Sequence, residues 1–85
     1  MPKGPVQWCI GHTGWVYSIA FAPDGQTIVT GSRDGTVKLW SIASGRELRT
    51  LDDDHTPVRS LALSADGALL AVGKTDGDIT LWKMY

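Results

Sequence analysis

His12, Thr30 and Asp34 carry an imidazole, a hydroxyl and a carboxylate. In the right geometry a carboxylate orients the ring and the ring takes the hydroxyl proton, so the set is a candidate for hydrolytic chemistry. A second candidate is the run Asp52-Asp53-Asp54-His55, which offers oxygen and nitrogen ligands to a divalent cation. Against the first, Thr30 falls inside Thr27 to Ser32, a run of β-formers whose place in a central strand leaves neither a substrate path nor an oxyanion hole. Against the second, the run lacks the fixed alternate spacing of a calcium loop and reads as a solvated acidic connection. Cys9 is the single cysteine, so no bridge forms within the chain. It reads as a small buried apolar side chain, and a lone thiol fits a reducing cytoplasm.

The elements that must position these groups are short and of one kind. Val6 to Ile10 is apolar and rich in β-formers after two prolines that keep the start extended, and is expected to be a strand. Trp15 to Phe21 alternates and closes on Ala22-Pro23-Asp24-Gly25, a turn in which proline presets φ and glycine tolerates positive φ. Thr27 to Ser32, a turn at Asp34-Gly35, Thr36 to Ser41, and Arg46 to Leu51 complete a first set of strands. A second set follows: Val58 to Leu63, a turn at Ser64 to Gly67, Leu69 to Gly73, and Asp78 to Lys83. No stretch shows helical periodicity, so the fold class is all-β.

With 85 residues the chain has room for one small domain. Eight Lys and Arg against nine Asp and Glu leave a net charge of −1. That balance removes the general attraction to phosphate backbones, so nucleic acid is not an expected partner. No run of about eighteen apolar residues exists, and the N-terminus has no secretory apolar core, so neither a membrane partner nor export is expected.

The order Gly31-Ser32-Arg33-Asp34-Gly35-Thr36-Val37-Lys38-Leu39-Trp40 returns at Gly73 to Trp82, with Asp76 and Trp82 each 42 positions after Asp34 and Trp40. A repeat near forty residues, with four short strands and a Gly-His before it, resembles the WD-repeat family of β-propellers. The resemblance rests on Gly11-His12, Pro23-Asp24-Gly25 and Asp34 to Trp40 in the first copy, and on His55, Ala65-Asp66-Gly67 and Asp76 to Trp82 in the second. It implies two four-stranded antiparallel blades, repeat 1 at about 11–51 and repeat 2 at about 54–83, within a single unit 1–85.

It also implies a structural role for His12, Thr30, Asp34 and Trp40, which match the family's buried hydrogen-bonded tetrad. The matching set in the second copy is His55, Asp76 and Trp82, because Val72 stands where the hydroxyl would be. Asp54 replaces the glycine before His55, and the link from His55 to Val58 is one residue shorter than that from His12 to Val16. The face on which the family binds partners implies Trp15, Tyr17 and Arg33 in the first blade, with Pro57, Arg59 and Thr75 in the second. Trp, Tyr and Arg are the side chains that most often dominate binding energy.

The resemblance therefore implies a non-catalytic scaffold for a protein or peptide partner, without cofactor or metal. It further implies that Val6 to Ile10 is an outer strand separated from its blade, while the second copy lacks one. Pairing residues 5–10 of one chain with Asp78 to Lys83 of the next completes both. Two blades per chain make the blade count even, and six or eight blades mean a ring of three or four copies.

Overall fold

The computed structural model describes residues 3–84, the side chains of Asp52 and Asp53 excepted. Seven strands run in chain order: β1 (Val16–Phe21), β2 (Thr27–Ser32), β3 (Thr36–Ser41), β4 (Glu47–Asp53), β5 (Val58–Leu63), β6 (Leu69–Lys74) and β7 (Ile79–Lys83). They form two antiparallel meanders, β1-β2-β3-β4 and β5-β6-β7. No helix is present among the described residues.

Local chemistry explains the meander. Asp24 accepts the N–H groups of Gln26 and Thr27 at 2.8 and 3.1 Å, and Asp66 accepts that of Ala68 at 3.0 Å. Each carboxylate thereby closes the tight turn that its own residue begins. Asp34 does the same for Thr36 at 2.8 Å. Here the next residue must be glycine on two counts. Gly35 has φ +89°, and a Cβ added to it would lie 2.4 Å from the His55 backbone.

The two sheets pack face to face. Val29 and Val37 of the first meet Val58, Leu70 and Val72 of the second, with Leu39, Leu51, Leu61, Leu63, Trp82 and Met84 around them. Strand alternation supplies this: on β3, Val37 and Leu39 point to the second sheet while Lys38 and Trp40 point away. The closest approach is at Gly31, where an added Cβ would sit 2.4 Å from Val58 Cγ1. The Leu61 N–H also donates to Ser18 Oγ at 3.0 Å, pinning β5 to β1.

Val6 to Ile10, expected as a strand, is not one within its own chain. A strand needs a neighbour to take its backbone hydrogen bonds, and the described residues of the same chain provide none. The segment is held instead by the Gln7 side-chain amide, which donates to the Ala43 carbonyl at 3.1 Å. At the other end of the chain β7 has β6 as its one strand neighbour among the described residues. The second sheet is thus three-stranded within the chain, as expected from the missing outer strand of the second copy.

Candidate functional site

The chain between Ile10 and Val16 brings His12 beside the β2–β3 turn, and the first four tetrad positions come together there. The Trp40 indole N–H donates to Thr30 Oγ1 at 2.7 Å. Thr30 Oγ1 is in turn bonded to His12 Nε2, and His12 Nδ1 lies 3.0 Å from Asp34 Oδ2. A carboxylate can only accept, so Nδ1–H donates to Asp34, Nε2 accepts the Thr30 hydroxyl, and every group is satisfied. Asp34 also accepts the Thr13 N–H at 2.9 Å, the Thr36 N–H at 2.8 Å and the Thr36 hydroxyl. Burial pushes the Asp34 carboxyl up, but the hydrogen bonds from Thr36 and Thr13, with that from His12, outweigh it and hold the group well below the ordinary carboxylate range. Thr13 and Thr36 were not among the sequence candidates. Thr36 was findable, because a residue two places after a turn aspartate is the usual recipient of its side-chain bond.

This network is poorly built for hydrolysis. Thr30 is 5% exposed and its oxygen is already shared between Trp40 and His12, so no carbonyl can approach it. Its geometry instead ties the loop before β1, the middle strand and the third strand into one rigid unit.

The second sheet differs. Val72 is fully buried in the position of Thr30, and the Trp82 indole nitrogen is buried without a hydrogen-bond partner. Asp76 still closes its turn by accepting the Asp78 N–H at 2.9 Å. His55 takes a left-handed backbone, φ 67°, and its backbone presses against Gly35 of the first sheet. Asp54 pairs with Lys74 at 2.6 Å, and the Lys74 side chain is almost wholly buried. That pair was not legible from residue order, since the two residues meet only through the fold. Among the described residues no three His, Cys, Asp or Glu side chains gather as a metal site. The Asp52 and Asp53 side chains, on which the acidic-run expectation largely falls, lie outside the described residues.

The expected binding residues form a different kind of site. Arg33 Cζ stands 5.4 Å from the centroid of the Trp15 ring, a cation–π contact. The Trp15 and Tyr17 rings meet edge to face with centroids 6.3 Å apart. The Arg33 N–H donates to the Trp15 carbonyl at 2.8 Å, and the Thr75 N–H donates to the Pro57 carbonyl at 3.1 Å, so each blade holds its pair of loops by the same link. Tyr17, Arg59 and Thr75 line a hollow of about 410 Å³. Tyr17 belongs to both groups, which makes one surface across the two sheets. Trp15 remains 68% exposed. The patch is therefore preorganised yet open, and it offers flat apolar area together with guanidinium donors.

Two stacked antiparallel meanders with the same turns and the same face-to-face contact define a repeat protein built from propeller blades. The family model "WD domain, G-beta repeat" matches residues 3–41 and 45–83, and the chain belongs to that family. It is 50% identical over 44 residues to the ribosome biogenesis protein BOP1 homolog of Drosophila melanogaster, a match spanning 52% of this chain and 6% of that protein. It is 45% identical over 42 residues to the small ribosomal subunit protein RACK1z of Arabidopsis thaliana, spanning 49% of this chain and 13% of that one. The chain thus covers a small part of the length of both curated relatives. Among solved structures, the crystal structure of the RRP9 WD40 repeats superposes with TM-score 0.84 at 27% identity, over 91% of this chain and 25% of that chain. The computationally designed Ika4 protein superposes with TM-score 0.79 at 28% identity, over 99% of this chain and 49% of that chain.

Proposed function

We propose that this chain is a non-catalytic interaction scaffold, binding a protein or peptide through the surface made by Trp15, Tyr17, Arg33, Arg59 and Thr75. Its blades either close a ring with copies of the same chain or serve as part of a longer propeller. The lone Cys9 thiol supports a cytoplasmic setting. The observation that carries the reading is the Trp15–Tyr17–Arg33 stack: its rings are held in place before any partner arrives, so little ordering entropy is lost on binding. Two relatives are named for ribosome biogenesis and for the small ribosomal subunit, and scaffolding is compatible with that setting.

The test is selection of peptides from a displayed random library on the immobilised chain. Trp15→Ala is expected to weaken the selected peptides by about 2 kcal/mol, roughly thirtyfold, while Arg49→Ala on β4 changes affinity little. Unchanged binding by a folded Trp15→Ala chain overturns the assignment of this surface.

A further inference from the structure

We propose that the cleft between the two blades, at the strand ends away from Trp15 and Tyr17, is a second docking site, which takes an apolar side chain of a partner protein flanked by lysine or arginine. It shares no residue with the surface proposed above, so either assignment can fail without the other.

The cleft follows from the way the sheets meet. Their contact is tightest near the end of β2, where a Cβ added to Gly31 would lie 2.4 Å from Val58 Cγ1. Toward the β1–β2 and β5–β6 turns the faces part, and a hollow of about 320 Å³ opens between them. Val29 and Leu39 of the first sheet line it, with Leu63 of the second and Met84 just past β7. Val29 is buried, but Leu39, Leu63 and Met84 are each only half-buried, so the hollow is an apolar recess open to water. Its size lies at the low end for ligand pockets, roughly 300–1,000 Å³. That suits one or two side chains better than a cofactor. Met84 adds an unbranched wall that can adjust to the shape of what enters.

Charge selects the occupant. Asp24 and Asp66, 42 positions apart, hold the same place in the two blades, and both line the cleft with exposed side chains. The Gln26 N–H on Asp24 and the Ala68 N–H on Asp66, with the hydroxyls of Thr27 and Ser64, outweigh desolvation and hold both carboxyls below the ordinary range. Both are therefore ionised at neutral pH. The turn bonds occupy three acceptor positions of Asp24, and a carboxylate has about four. No Lys, Arg or His lines the cleft among the described residues. The two carboxylates thus set negative charge at the mouth of an apolar recess, which attracts a segment with cations beside its apolar anchor and repels an acidic one. Lysine and arginine also bring methylene stems that extend the apolar contact along the walls.

The probe is a terminally blocked peptide, Gly-Arg-Lys-Leu-Arg-Lys-Gly, titrated into the 85-residue chain at low salt and followed by methyl and indole NMR. The Leu39, Leu63 and Met84 methyl resonances are expected to shift in a saturable way while the Trp15 indole does not move. Replacing the peptide's leucine by serine is expected to abolish the shifts, and replacing its cations by glutamate to do the same. On the protein, Asp24→Asn combined with Asp66→Asn keeps an oxygen to accept each turn N–H. It is expected to weaken binding about fivefold, the scale of two exposed ion pairs. Ala22→Leu fills the cleft from its wall and is expected to remove binding with no change of charge. Absence of any methyl shift at millimolar peptide, shifts centred on Trp15 and Tyr17, or equal binding of the serine peptide overturns the site. Full affinity in the double asparagine variant overturns the cationic occupant. Saturation by hexylammonium with none by the peptide gives the cleft to a small amphiphile and overturns the protein partner.

Discussion

Asp34 does the most at the scale of single residues, because from the β2–β3 turn it accepts from four donors, two in the loop before β1 and two on Thr36 at the start of β3. Its position was legible in the sequence, since Asp-Gly between two β-rich runs marks a tight turn and the imidazole, hydroxyl and indole lie at the repeat's spacing. What was not legible was the ordering of the bonds, which depends on the loop bringing Thr13 back over the turn. The depressed carboxyl has a consequence for stability. A group held below its unfolded value, about 3.9, contributes in full above that pH and loses its contribution as acid protonates it in the folded state. Asp34→Asn is therefore expected to lose roughly 2 kcal/mol at pH 7, the scale of hydrogen bonds to a charged group. The gap to the parent should narrow as pH falls below 4, because the parent alone still has this carboxylate to lose. Urea unfolding of both proteins at pH 7 and pH 3 checks this, and an unchanged gap at pH 3 would mean that ionisation of Asp34 is not the source.

Among the elements, the strands were read from sequence to within two residues at each end, because the turns between them are set by local chemistry at Asp24, Asp34, Asp66 and Asp76. Val6 to Ile10 escaped that reading for a physical reason: its composition is that of a strand, but strand formation needs an edge to pair with, and composition does not say where one is. Likewise the stack of Arg33 on Trp15 was not legible, since it depends on two loops meeting at the ends of β1 and β2. The two blades also differ in how the middle strand grips the third. In the first sheet β2 offers Thr30 to the Trp40 indole, while in the second β6 offers Val72 and leaves the Trp82 N–H buried and unpaired. An unpaired buried donor costs about 1–3 kcal/mol, so β6–β7 is the weaker grip. Val72→Thr nearly preserves shape and supplies an acceptor, and is expected to stabilise the chain by ~1 kcal/mol. Thermal unfolding reads this directly, and a lower melting temperature would mean that the hydroxyl does not reach Trp82.

For the whole molecule the decisive quantity is how much apolar surface two blades leave uncovered. Each sheet of a stacked array gains its core from its neighbours, so a pair completes one interface and leaves its outer faces half-finished. If copies of the chain cover them, as the scaffold reading allows, stability depends on protein concentration, because binding of the folded state alone favours it by mass action. The tryptophans report on this separately. Trp40 is buried within the first sheet in any state, while Trp8 and Trp15 are 72% and 68% exposed. Trp8 lies in the Val6 to Ile10 segment that the resemblance implies would pair with another copy, whereas Trp15 lies on the surface proposed above to bind a partner. Dilution from high to low concentration is then expected to raise iodide quenching of Trp8, read in a Trp15→Phe background, and to leave quenching of Trp15 unchanged, read in a Trp8→Phe background. The melting temperature should fall over the same dilution. Equal and constant quenching of both residues, with a melting temperature independent of concentration, would place Trp8 outside any contact between copies.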